Sequence, residues 1–297
     1  MSRKQGVPMS TPWHSPARRN IRIRSIGGSA LLHLFLIAVA LTCLVPFAWM
    51  VGTSFKTFDQ VLTYPPRIVP DPAVLDSWRA MFNGVTIWRY LFNSVFVTGV
   101  IVLSQCIFNT MAAYVFARIE FRGRDLIFLL YLGSMMVPAQ VTLIPQYVLV
   151  SKLGWIDSYF ALTIPFVFGS AFGTFLLRQF FLSLPRDLDD AAKLDGAGHL
   201  RILWDVAIPQ AKPAIATFAV FCFLFFWNDF LWPLIVTNTN GHKTLQVGLA
   251  TLSRSYFGTN WPMMMAVTTF AVIPILVIFI FAQRYFVQGI TLTGLKG

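Results

Sequence analysis

Six stretches of the chain carry almost no charge, and each is long enough for a helix to cross a bilayer. Crossing about 30 Å of hydrocarbon at about 1.5 Å per residue takes roughly 20 apolar residues. The stretches run over residues 28–53, 90–117, 126–150, 159–177, 213–236 and 263–286. None alternates apolar and polar positions, as the strands of a closed β-barrel would. The pattern predicts an all-α polytopic membrane protein with six transmembrane helices.

The polar intervals complete the outline. Residues 1–27 are basic and hold no acidic residue; they read as a disordered cytoplasmic tail before an uncleaved first anchor. Residues 28–297 then form one membrane domain. Residues 54–89, with Pro65, Pro66, Pro70 and Pro72, and residues 237–262 form two outer loops, the first with a short amphipathic helix near Leu75–Phe82. Pro46, Pro138, Pro145, Pro165, Pro233 and Pro274 fall within the spans, where proline kinks helices without excluding them.

Composition agrees. Hydrophobic residues make up 56% of the 297 and charged residues 12%, against about 25% charged in ordinary soluble domains. The net charge of +11 would attract nucleic acid if it were spread over a soluble surface. Here Lys and Arg flank the apolar runs instead, so the bilayer is the expected partner and nucleic acid is not. With the N-terminus inside, 16 basic residues fall on the cytoplasmic side and 7 outside, which places both termini in the cytoplasm of a multi-pass inner-membrane protein.

Chemistry is sparse. Cys43, Cys106 and Cys222 sit inside apolar runs without metal-ligand spacing, and the four histidines are scattered, so no metal site is expected. The sequence has no G-x-x-x-x-G-K phosphate loop, no H-E-x-x-H and no G-x-S-x-G. Glu120 is the only glutamate, and the paired intramembrane carboxylates expected of many proton-coupled carriers are missing. The chain is not expected to be an enzyme.

The most informative polar stretch is the cytoplasmic loop 184–209 between the fourth and fifth spans. Pro185 suits a helix start. Asp187, Asp189 and Asp190 put negative charge in its first turn, where the helix dipole favours it. Asp195-Gly196 ends the helix, since Gly196 can adopt positive φ. Leu200, Leu203, Trp204 and Ala207 then recur at helical spacing, and Pro209 and Pro213 bracket a turn into helix five. On these grounds the loop is either a compact docking surface or an amphipathic connector lying at the lipid interface.

The run Asp190-Ala191-Ala192-x-x-Asp195-Gly196-Ala197, followed by Pro209 and Pro213, resembles the EAA loop of importer permeases in the ABC transporter superfamily. Asp190 stands where the usual glutamate would be, one methylene shorter. Residues Trp227–Leu234 and the ending from Gln283 to Gly297 are similar to the shorter permease of maltose- and glycerol-phosphate-type importers. The resemblance covers roughly residues 28–297 and implies a carbohydrate importer. It implies a heterodimer with a second homologous permease, two copies of a cytoplasmic ATPase carrying ATP and Mg, and an extracytoplasmic solute-binding protein. No cofactor would be bound by this chain. A coupling helix would hold Asp190, Ala191, Ala192, Asp195, Gly196 and Ala197 against the ATPase. Lys296 becomes a candidate ATPase contact, with a frayed terminus as the other reading.

Asp229 is the one acid in the fifth apolar run. A carboxylate at mid-bilayer costs about 2.5–3.5 kcal/mol and so usually faces a polar cavity or a partner. With Trp227, Asn228 and Trp232 it would suit a sugar path, or else the four belong to an outer aromatic belt with a structural role. The competing class is a self-contained secondary transporter or channel, which would act without partners.

Overall fold

Proline and glycine decide where the apolar runs stay straight. The computed structural model describes residues 20–84, 86–252, 254–255 and 258–293, with side chains over 28–84, 86–251 and 260–283. The expected tail contact, Lys296, and residues 1–19 lie outside the described residues. Helical backbone begins at Asn20, eight residues before the expected boundary. No proline lies between Pro16 and Pro46 to stop it.

Among the described residues, four helices are individually long and apolar enough to cross a membrane: Gly28–Ser54 within α1 (Asn20–Ser54), α4 (Thr86–Arg118), His199–Trp227, and Trp261–Gln283 within α14 (Trp261–Thr293). Two bent pairs raise the count to six if each pair is one span. The third expected span is one of them. α5 (Arg124–Gly133) leads through a 3-10 turn at Ser134–Met136 to extended Val137, and Pro138 then opens α6 (Ala139–Lys152) at 94° to its predecessor. Pro138 supplies no N–H to continue the α5 ladder. The fourth span bends by 41° between α7 (Tyr159–Thr163) and α8 (Ala171–Ser183), across a 3-10 turn holding Pro165 and across Gly169 at φ 97°.

Between α1 and α4, residues 55–84 carry one capped turn, α2 (Phe58–Val61), and α3 (Asp76–Asn83), close to the amphipathic helix expected at Leu75–Phe82. α9 (Asp187–Leu194) and α10 (His199–Ile202) follow α8. A π turn over Leu203–Ala207 then joins α10 directly to α11 (Ile208–Trp227). The turn expected at Pro209 and Pro213 is therefore absent. Pro209 falls in the first turn of α11, where its missing N–H costs little, and the π turn opens the ladder enough to admit its ring. The fifth run instead breaks at residues 228–230, before α12 (Leu231–Val236). α13 (Leu245–Leu252) and a two-residue antiparallel pairing, Arg254–Ser255 with Gly258–Thr259, precede α14.

The chain divides into two compact units, residues 1–50 and 51–297. In the second, α4 packs against α8 and α11, and α11 against α14. The main core includes Ile101, Ala113, Leu177, Phe181, Ala211 and Phe218. A second cluster joins Tyr90, Trp227, Leu245 and Val267. Gly173 lets α8 approach closely: a Cβ there would lie 2.5 Å from the Phe218 ring and 2.6 Å from the Asn109 amide.

Candidate functional site

The loop after α8 folds as the residue chemistry dictates. Asp187, Asp189 and Asp190 occupy the first turn of α9 and Lys193 its last, each complementing the dipole. Gly196 ends the helix at φ 81°, and the Ala197 N–H returns to the Ala192 carbonyl at 2.9 Å. Ala192 and Ala197 pack against the main core. Leu188, Asp190, Ala191, Leu194, Asp195 and Gly196 face outward, with Leu194 89% exposed. The face expected on the following helix is divided, because Leu203 and Ala207 are buried while Leu200 and Trp204 stand exposed beside α9. The six residues expected at the coupling surface thus lie together on one short helix and its cap, with Ala192 and Ala197 turned inward.

The back of α9 is held by a residue that loop spacing does not reveal. Arg118, in the last turn of α4, places Nε 3.5 Å from Asp189 Oδ2, the two side chains being 5% and 11% exposed. Its Nη2 donates to the Leu184 carbonyl at 2.9 Å. Removing one partner from a pair this buried costs about 3–5 kcal/mol. Nearby, Arg178 donates to the Phe116 carbonyl at 3.2 Å and lies 4.2 Å from the centre of the Phe128 ring, tying α5 to α4 and α8. A cleft of about 380 Å³ opens beside α9, lined by Arg118, Glu120, Arg186, Asp189, Asp190 and Lys193 among others.

The second candidate cluster comes apart. Trp227 is 1% exposed, stacks on Phe223 and donates to the Ala271 carbonyl at 3.2 Å. Trp232, 4% exposed, belongs to the other core, donates to the Ala161 carbonyl at 2.9 Å and meets Phe166 edge-on. Both indoles are thus spent on packing. Asn228 is exposed and donates to the Leu224 carbonyl at 2.7 Å. Asp229 is partly buried in the break, just before the first turn of α12. Along α11 below them, Phe225, Phe221 and Phe218 recur at helical spacing and line an apolar cavity of about 360 Å³ that Gln105 and Ser170 close.

Polar residues inside α4 support these parts and escaped notice in the sequence. Asn109 is fully buried; its Oδ1 accepts from the Ser170 N–H at 2.8 Å and from Thr174 Oγ1 at 3.0 Å. Gln105 donates to the Phe166 carbonyl at 2.9 Å. Together they satisfy the backbone freed by the α7–α8 break, which lipid could not. In the first turns of α4, Asn93 donates to the carbonyls of Gly241 and Lys243 at 3.0 and 2.8 Å and accepts from Tyr159 Oη at 2.7 Å. Tyr90, Arg89 and Ser94 bond residues 240, 241 and 245 of the same loop. Asp157 Oδ1 accepts from the N–H groups of Asn238 and Thr239 at 3.0 and 3.1 Å.

Residues 109–292 match the family described as the inner membrane component of binding-protein-dependent transport systems. The chain is 36% identical to the arabinooligosaccharides transport system permease protein AraQ of Bacillus subtilis, over 90% of this chain and 95% of that one. It is 33% identical to the sn-glycerol-3-phosphate transport system permease protein UgpE of Brucella abortus, over 88% and 95%. A chain of a crystallised bacterial ABC transporter involved in import of the acidic polysaccharide alginate superposes with TM-score 0.77 at 27% identity, covering 93% of this chain and 100% of that one.

Proposed function

The chain belongs to the inner membrane components of binding-protein-dependent transport systems, the permeases of ABC importers, and on that premise we propose that it forms half of an alternating-access path for an oligosaccharide or a related polyol. Membership in this family sets aside the self-contained carrier. Six spans with both termini in the cytoplasm, as the basic-residue bias requires, put α9 on the cytoplasmic side. The path is completed by a second homologous permease. Two copies of a cytoplasmic ATPase carry ATP and Mg, and an extracytoplasmic binding protein delivers the solute.

The observation that carries this reading is α9 itself. It is a short helix, pinned from behind by Arg118, with Leu188, Ala191 and Leu194 bare in front and Leu200 and Trp204 alongside. A clustered apolar surface of this kind asks for a protein partner. Asp190, Ala191, Asp195 and Gly196 form the contact rim of that coupling helix, while Ala192 and Ala197 seat it. Asn228 and Asp229 border the path above the Phe218–Phe221–Phe225 stripe, whose ring faces suit the apolar side of a sugar.

Purification of the chain from its native membrane tests the assignment. A nucleotide-hydrolysing subunit and a second permease should accompany it, and the solute-loaded binding protein should stimulate ATP turnover across a panel of sugars and polyols. A chain that transports alone would defeat it. Asp229→Asn should raise the apparent transport KM about 3–30-fold, as loss of one polar contact does; unchanged KM and rate would remove Asp229 from the path.

A further inference from the structure

Resting on the importer reading, we infer that Arg118 is the joint through which displacement of α9 becomes displacement of α4. The guanidinium sits at the cytoplasmic end of a 33-residue helix and meets two other elements at once. Nε faces Asp189 in the first turn of α9, and Nη2 holds the carbonyl of Leu184 at the end of α8. Arginine's planar fork fixes the direction of the bond to Leu184, and the same rigid group then sets where its charge faces Asp189, which a flexible ammonium would not.

Burial makes this contact different in kind from the other charge pairs around α9. Arg186–Glu120 at 3.6 Å is mostly exposed, and Lys193–Asp190 at 3.1 Å lies within α9 itself; such pairs hold little. Ala192 and Ala197 touch the core through apolar surface, which can slide. A desolvated ion pair cannot slide without leaving a charge unpaired in a low-dielectric setting. Apolar residues of similar volume would often serve stability as well, so what the pair adds is fixed geometry. At the far end of the same helix, Asn93 grips the outer loop. Motion imposed at Asp189 therefore has a rigid route to the opposite side of the bilayer. Arg118 and Asp189 are positioning residues: they touch no solute and no nucleotide.

The test uses the complete importer reconstituted with its ATPase and binding protein. Maltose, arabinotriose and glycerol 3-phosphate are each offered, and the probe that stimulates the unaltered protein most is kept. Arg118→Gln and Asp189→Asn should each retain ATPase copurification and basal hydrolysis within about twofold, yet lose stimulation by about tenfold or more, and the double variant should be no worse than either single. Arg118→Lys should recover part of the stimulation. Should Arg118→Gln fail to insert, Asp189→Asn carries the test, because it leaves the bond to Leu184 intact. Full stimulation in either single variant, losses that multiply in the double variant, or loss of ATPase copurification overturns the inference while the importer reading stands. An unaltered chain that binds no ATPase overturns both.

Discussion

The two ends of α4 are secured by opposite means. Toward its N-terminus Arg89, Tyr90, Asn93 and Ser94 spread their hydrogen bonds over residues 240–245, and Asn93 also receives Tyr159. Toward its C-terminus Arg118 reaches Asp189 and the Leu184 carbonyl while Arg178 holds the Phe116 carbonyl, and α9 beyond leaves Leu188 and Leu194 in the open. A distributed network of hydrogen bonds fixes a loop in one arrangement, since every bond must break for it to move. A buried ion pair behind a bare apolar face ties an element to its neighbour while leaving both free to move together. The difference separates an anchorage from a receiver.

That contrast can be broken at either end, and four substitutions rank by what they do to the folded chain. Asn93→Leu should cost the most, about 2–4 kcal/mol, because it strips donors from two carbonyls and the acceptor from a partly buried tyrosine hydroxyl; denaturation of the purified complex would register it. For Gly196→Val the expected strain is about 1–3 kcal/mol, confined to the cap at φ 81°. Membrane insertion should survive while solute-stimulated ATP turnover disappears, and Gly196→Asn, which tolerates left-handed backbone, should retain much of it. Normal coupled transport by Gly196→Val would count against the coupling helix.

Asp157→Asn should remove about 1 kcal/mol from the loop over residues 237–244. Burial alone would push the Asp157 carboxyl up, yet hydrogen bonds from the Thr239 side chain and backbone and from the Asn238 N–H, together with His242, hold it below its ordinary value of 3.8. A depressed carboxyl contributes its stability above that value and loses it as pH falls through the folded pKa. Proteolysis of residues 237–244 should therefore quicken under acid in the unaltered chain, with the Asp157→Asn variant already fast at neutral pH. Leu194→Glu should be the mildest for the fold, within about 0.5 kcal/mol, since a residue 89% exposed gives up little packing. Even so, it should release the ATPase in a pull-down; retention at full yield would deny α9 its partner.

The spans and the limits of α9 were legible because each depends on neighbours in sequence: hydropathy over about twenty residues, acids in a first turn, a glycine at a cap. The breaks were not. Window hydropathy cannot tell a straight run from one bent at Pro138 or Gly169, as the same apolar residues serve both. What makes the bend between α7 and α8 tolerable is Asn109 and Gln105, which lie some sixty residues away from their backbone partners. Arg118 and Asp189 are 71 positions apart by their numbers, beyond any spacing rule. Trp227 and Trp232 show the opposite case: they are close in sequence, but the break between α11 and α12 sends them into different cores.

One consequence follows from the unbroken run of helix through the π turn. His199 to Trp227 is 29 residues, a rod of about 43 Å at about 1.5 Å per residue. Its foot stands beside α9 and its head beside Asn228 and Asp229. Tilting such a rod by about 10° about its foot would sweep the head sideways by about 7 Å, roughly the width of a sugar ring. Small travel below would thus be geared into a stroke wide enough above to admit or bar a solute.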